Sequence, residues 1–289
     1  MNARAAKGIK HLKERTMFAF ACDRVRCIRC GACVSACGRA VLADDGEGVP
    51  HVPPGNEALC NFCGHCSAIC PVDAVVSPGY GGERAMPLDF GSPVDFASAR
   101  RLILSCRSIR RYSEEAVRDE EILELLDVAR RAPTASNLQL IRWMVLSGRE
   151  KAARFTALTM DWFDSVVRND PAMQGRYNVD AMMARYRGGY DIILRGAPNV
   201  VFALADKNAV WGQTDCAIAM TYFCLAAHAG NIGSCWCGFG IMALRDFAPL
   251  REFLGLGRND LVHAVAFFGR PDMTYHALPP RKPLRLTWI

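Results

Sequence analysis

The chain has 289 residues, 51% of them hydrophobic and 22% charged, a balance that excludes a disordered polymer and supplies apolar surface for a sizeable core, expected in two domains. No apolar run approaches the ~20 residues of a membrane helix, and the N-terminus lacks the apolar region of a signal peptide, so a cytoplasmic protein with no membrane or nucleic-acid partner is expected. Of the net charge of +6, much sits in residues 1–15, with five Lys or Arg against one Glu; residues 1–22 read as a basic leader, solvated or serving as an arm for an acidic partner.

Fourteen cysteines could serve disulfides or metal, and their spacing decides for metal. Eight of them form two tight runs, Cys27-x-x-Cys30-x-x-Cys33-x-x-x-Cys37 and Cys60-x-x-Cys63-x-x-Cys66-x-x-x-Cys70-Pro71. This is the bacterial ferredoxin run in duplicate. Three closely spaced thiolates wrap three corners of an iron–sulfur cubane, and the fourth reaches the other cluster. The crossing predicts one 4Fe-4S cluster on Cys27, Cys30, Cys33 and Cys70 and a second on Cys60, Cys63, Cys66 and Cys37. Zinc knuckles also use Cys-x-x-Cys pairs, but neither this spacing nor its duplication is expected of them. Gly38 replaces the proline that usually follows the fourth cysteine, and glycine still permits a tight turn. The insert between the runs, with Asp44-Asp45-Gly46-Glu47-Gly48 and Pro53-Pro54-Gly55, predicts a hairpin with loops. Residues 23–85 therefore read as a small iron–sulfur domain. Glycines and prolines about 77–93 mark a boundary, with the linker placed at 86–96 and a larger domain at 97–289.

In that larger domain, apolar spacing predicts a helix over Phe96–Cys106 that delivers the cationic segment Arg107-Ser108-Ile109-Arg110-Arg111-Tyr112. Guanidinium forks and a hydroxyl suit an anion, although a solvated basic turn has the same composition. Asp119-Glu120-Glu121 opens a helix with Ile122, Leu125, Leu126 and Ala129 on one face and Arg130-Arg131 in its last turn. Pro133 ends it and begins Pro133-Thr134-Ala135-Ser136-Asn137-Leu138-Gln139, a loop leading into a strand at Ile141–Leu146. Glu150 to Gly196 has helical spacing and many aromatic and Met residues. Asn199–Leu204 reads as a buried strand, Asp215–Ala229 as an apolar core helix, and Ser234–Phe239 and Val262–Phe268 as further strands. Phe268-Gly269-Arg270-Pro271 follows, then a proline-stiffened tail, Pro279–Trp288, with a strand-like end.

Taken in order, the Arg107 segment, the Asn137 loop and Gly269-Arg270 resemble the FMN-dependent nitroreductase family, and residues 27–70 resemble a two-cluster ferredoxin. The resemblance implies an α+β fold: a nitroreductase-like FMN-binding α/β sandwich with a small bacterial-ferredoxin-like domain before it. It implies that Arg107, Ser108, Arg110 and Arg270 hold the flavin phosphate, although Cys106 stands where the family often has arginine. Thr134, Asn137 and Gln139 would meet the polar edge of the ring, and a backbone N–H of Cys237 or Gly238 would face N5. It further implies a homodimer with FMN at the subunit interface and the tail crossing onto the partner. Cys22, Cys106, Cys216, Cys224, Cys235 and Cys237 are expected to be packing thiols.

The expected activity is an oxidoreductase that passes electrons through two 4Fe-4S clusters to FMN and on to a nitroaromatic, a quinone or an activated alkene. Ferredoxin or NAD(P)H would be the donor. Flow in the opposite direction, as in a dehydrogenase or a specialised oxidation, and a non-enzymatic electron carrier are the other readings. No Gly-x-Gly-x-x-Gly or Walker loop is present, so no Rossmann nicotinamide domain is encoded.

Overall fold

The computed structural model describes residues 19–79, 85–87 and 93–289; the leader through residue 18 and linker residues 88–92 lie outside the described residues. The chain divides into two units, one of Met1–Pro93 with Ser136–Leu138 and one of Val94–Ala135 with Gln139–Ile289. No helix among the described residues is long and apolar enough to cross a membrane.

In the first unit two antiparallel pairs frame two short helices. Strand β1 (Ala21–Cys22) pairs with β4 (Val75–Val76), and β2 (Ala43–Asp44) pairs with β3 (Pro50–His51). Ala21 and Cys22, read from sequence as leader, thus belong to this unit: their backbone groups are taken by β4. The expected hairpin forms around the Asp45 carboxylate, which accepts from the N–H groups of Glu47 and Val49, while Gly46 and Gly48 take positive φ. Helices α1 (Ala32–Ser35) and α2 (His65–Ala68) each begin after a left-handed glycine, Gly31 at φ 69° and Gly64 at φ 73°. The two cysteine runs repeat each other in backbone as well as in sequence. Arg29 and Phe62, and Ala40 and Asp73, are matching positive-φ residues 33 positions apart, as are the cysteines themselves.

The second unit is built on a four-stranded antiparallel sheet ordered β5 (Arg142–Ser147), β6 (Asn199–Asp206), β8 (Asp260–Gly269) and β7 (Gly233–Trp236). Strands β6 and β8 are apolar nearly throughout because helices cover both faces. Alternation divides β6 between two cores: Val200, Phe202 and Leu204 enter one, Val201, Ala203 and Ala205 the other. The first core is completed by α5 (Arg149–Trp162), α9 (Gly238–Asp246) and α10 (Ala248–Phe253). The second is completed by α4 (Asp119–Ala129) and α8 (Gly212–Ala229), whose fully buried residues include Met220 and Phe223. Between α5 and β6, a π turn at Phe163–Val167 leads into α6 (Pro171–Tyr177) and α7 (Val179–Arg187).

The helix expected over Phe96–Cys106 forms as α3 (Phe96–Ser105), where the Asp95 carboxylate accepts from the Ser98 N–H. Two other expectations change. The strand expected over Ser234–Phe239 stops at Trp236, which pairs with Ala266 of β8, and Cys237 becomes the residue preceding α9. The tail forms no strand: residues 273–289 pair with no edge among the described residues.

The cationic segment is held on the β7 edge. Ser108 bridges Ser234 in parallel, and the Ile109 N–H donates to the Ser234 carbonyl at 3.0 Å. Ile109 is buried against Gly233, where an added Cβ would sit 2.7 Å from Ile109 Cγ2. Gly233→Ala should therefore destabilise the second unit by about 1–3 kcal/mol through overpacking. Thermal unfolding followed by circular dichroism should show Tm lowered by several degrees; an unchanged Tm would contradict this close approach.

Candidate functional site

Two sets of thiols are gathered in the first unit. Cys27, Cys30, Cys33 and Cys70 line one cavity together with Val75 and Pro50. Cys33 lies close enough to Cys70 and Cys30 for their thiolates to repel, and Cys60 bears the same relation to Cys63 and Cys37. In each set the fourth cysteine of one run joins the first three of the other. The thiols surround a space rather than a point: among the described residues no three His, Cys, Asp or Glu side chains converge on a position for a single metal ion. That spacing suits a cubane of several atoms better than one zinc.

The backbone is also arranged for sulfur ligands. The Val41 N–H donates to Cys37 Sγ at 3.3 Å, the Ala74 N–H to Cys70 Sγ at 3.2 Å, and the Phe62 N–H to Cys60 Sγ at 3.4 Å. Such bonds stabilise a thiolate. Burial pushes the free thiol of Cys66 up to about 11, and ligation to iron would replace that proton. A ninth cysteine, Cys22, is also present: burial and then a hydrogen bond to Cys27 push its thiol up to about 11.

In the second unit, an open cavity of about 440 Å³ lies where the cationic segment, β7, α8 and the tail meet. Period-two alternation along the segment turns Ile109 into the protein and leaves Ser108 and Arg110 on the opposite side, where both line the cavity with Arg107. Ser234, Cys235 and Trp236 of β7 form another wall, and Tyr275 and Arg281 come from the tail, with the Tyr275 hydroxyl donating to the Ser108 carbonyl at 3.3 Å. Three arginines and no Asp or Glu line this space. Arg107 caps the end of α3, donating to the carbonyls of Cys106 and Leu104, and its buried Nε has no partner. The arrangement is an anion site with room for more than the anion.

Burial pushes the Cys224 thiol on the cavity wall up to about 11, and it raises Cys106 as well, so neither is a reactive thiolate near neutral pH. Cys237 is pushed up to about 12 by burial. Its backbone N–H donates to the Val265 carbonyl at 2.8 Å, so of the two candidate N5 donors this one is occupied. Gly238, the exposed first residue of α9, keeps its N–H at a helix N-terminus.

Thr134 and Gln139 do not line this cavity. Thr134 Oγ1 accepts from the Gln139 N–H at 3.1 Å, and the Ala135 N–H donates to the buried carboxylate of Asp215 on α8 at 3.1 Å. Ser136, Asn137 and Gln139 all have positive φ near 50°, a costly conformation for three residues in four. Within the first unit the Asn137 amide donates to the Phe62 carbonyl at 2.8 Å. Nor does Arg270 join the cavity: its guanidinium bonds both oxygens of Glu121 at 2.7 and 2.8 Å and also pairs with Glu115. Sequence reasoning missed Arg281, whose signal was a dibasic pair set between Pro280 and Pro283.

A paired-thiol unit joined to a three-layer α+β domain with an anion cavity at its sheet edge defines a two-part redox protein. The Nitroreductase family profile matches residues 103–270, and the 4Fe-4S dicluster domain profile matches residues 26–74. The chain belongs to the nitroreductase family and carries a 4Fe-4S dicluster domain ahead of the family domain. Among relatives, a protein of Archaeoglobus fulgidus provisionally named NADH dehydrogenase/NAD(P)H nitroreductase is 31% identical over 172 residues, 59% of this chain and 84% of that one. The fold is shared with a crystal structure of a nitroreductase with bound FMN from Bacteroides fragilis (TM-score 0.52, 20% identity, 66% of this chain and 97% of that one). It is shared equally with a nitroreductase with bound FMN from Desulfitobacterium hafniense (TM-score 0.53, 21% identity, the same coverage of both chains).

The Glu121 carboxyl is held well below its ordinary value of 4.5, to about 2, first by the Arg118 backbone N–H and then by Arg270. A depressed carboxylate stabilises the fold above its unfolded value, and that contribution is lost as pH falls from about 4.5 towards 2. Glu121→Gln should therefore be less stable than wild type at neutral pH, with the gap closing through that window in urea midpoints measured across pH. A gap of constant size would remove the ion pair from the account.

Proposed function

We propose that the chain is an iron–sulfur flavin oxidoreductase that takes up single electrons through two 4Fe-4S clusters and passes them, at an FMN held in the Arg107–Arg281 cavity, to a small organic acceptor. The observation that carries this reading is the convergence of Arg107, Ser108, Arg110 and Arg281, from two distant stretches of chain, on one cavity without a carboxylate. When bound, each cluster supplies a one-electron carrier and FMN a centre that accepts one or two electrons, which matches a single-electron donor to a two-electron acceptor.

The residues divide that work. Arg110 and Arg281 supply charge to a phosphate, Ser108 a hydroxyl, and Arg107 the buried Nε that lacks a partner. Ser234 and Cys235 form the buried floor that excludes water, and the Gly238 N–H is a donor towards a ring. Cys27, Cys30, Cys33 and Cys70 would hold one cluster, and Cys60, Cys63, Cys66 and Cys37 the other, each cage receiving backbone N–H bonds to sulfur. Leu284, Leu286 and Trp288 stand exposed on the tail, as expected of a segment that packs on a second copy in a homodimer with FMN at its interface. Nitroaromatics, quinones and activated alkenes fit as acceptors and ferredoxin or NAD(P)H as donor, in a cytoplasmic setting that keeps the thiols reduced.

Reductive titration of the anaerobic protein followed by absorbance should take up about four electrons per chain, two at FMN and one at each cluster. Arg110→Ala and Arg281→Ala should each weaken FMN binding about 10- to 100-fold, the scale of a lost charge-assisted hydrogen bond, with iron content unchanged. Wild-type FMN affinity in the double variant would place the flavin outside this cavity.

A further inference from the structure

The second cysteine run reproduces the first 33 residues later, in sequence and in the left-handed residues around it. One thiol breaks that repeat. Cys22 has Gly55 at the corresponding position of the second half, where no donor side chain exists.

Four features bring Cys22 to the first cage. Its strand register sets it opposite Val75, which lines the same cavity as Cys27, Cys30, Cys33 and Cys70. The Cys27 N–H donates to the Asp23 carbonyl at 2.9 Å, closing a turn that returns Cys27 to the end of β1. The Asp23 N–H donates to the Ala74 carbonyl at 2.8 Å, and the Ala74 N–H in turn donates to Cys70 Sγ, which ties β1 to the fourth ligand. The Cys22 side chain packs on the small core of Cys33, Leu42 and Val75, on the side of the first cage.

We propose that Cys22 is a positioning and tuning residue: its S–H donates to the sulfur of Cys27 and raises the reduction potential of the cluster held by Cys27, Cys30, Cys33 and Cys70. A cluster that accepts one electron gains one negative charge, shared with its thiolate sulfurs. A donor aimed at one of those sulfurs stabilises the reduced form more than the oxidised one. Cys22 keeps its proton throughout, so the step moves one electron and no proton. Gly55 leaves the second cluster without this donor, so the thiol acts on one carrier and not on the other.

The inference rests on the ligand assignment above, and the test separates the two. The holoprotein and its Cys22→Ala and Cys22→Ser variants are compared by iron analysis and by anaerobic redox titration monitored by electron paramagnetic resonance. All three should retain about eight iron atoms per chain. In Cys22→Ala one of the two midpoint potentials should fall while the other stays, and Cys22→Ser, which keeps a hydroxyl donor, should return it towards wild type. Cys22→Val, which suits a strand and also lacks the donor, reads the same midpoint if the alanine variant does not fold. Unchanged midpoints with iron intact, or loss of half the iron in both donor-free variants with retention in wild type, would overturn the tuning role. Fewer than about eight irons in the wild type would instead overturn the ligand assignment itself.

Discussion

Ile109 packed against the bare backbone of Gly233 is the contact on which the anion cavity depends. Because β7 carries no side chain at that position, the segment after α3 can lie directly on the sheet edge, with Ser108 bridged to Ser234. Alternation then does the rest: the residue that faces inward is apolar, and its neighbours on both sides are polar and face the cavity. A larger residue at 233 would lift the segment, and Ser108 and Arg110 would move away from the arginine brought by the tail. Glycine here is a requirement of close approach rather than of φ.

The first unit obeys a different constraint. It has too little apolar material for a core of the kind that fills the second unit; its buried cluster is Cys33, Leu42 and Val75, with further cysteines at the margin. A fold so small takes part of its stability from the groups it binds. The left-handed Gly31 and Gly64 turn each run back upon itself so that the second and third cysteines face the same space, and the N–H bonds to Cys37 and Cys70 fix the fourth. Chain crossing between the halves makes each cage dependent on both.

Much of this was legible in the sequence, and the reasons differ by element. Cysteine spacing is a covalent-scale ruler, so the gathering of the thiols into two groups was readable directly. Strands β6 and β8 and helix α8 announced themselves as largely apolar runs, because most of their residues are buried in the two cores. What failed was long-range pairing. Arg270 follows a buried strand and a glycine, as a ligand-binding arginine would, yet Glu121 from α4 reaches it, an encounter 149 residues apart that no local pattern records. Arg281 was hidden for the converse reason: a proline-rich tail carries no periodicity, and only the fold reveals which wall it forms. Ser234–Phe239 read as one strand because apolar and aromatic residues serve a strand and a helix start equally, and the chain turns into α9 after Cys237.

The prolines of the tail bear on how tightly an anion can be held. Arg281 stands between Pro280 and Pro283, with Pro279 also on the cavity wall, and the Tyr275 hydroxyl bonded to Ser108 is an anchor on the same side. A chain whose φ angles are already restricted surrenders less conformational freedom when its arginine is fixed in place. The same guanidinium on a glycine-rich tail would give identical contacts and a weaker complex, so the affinity of this wall resides partly in residues that touch nothing charged.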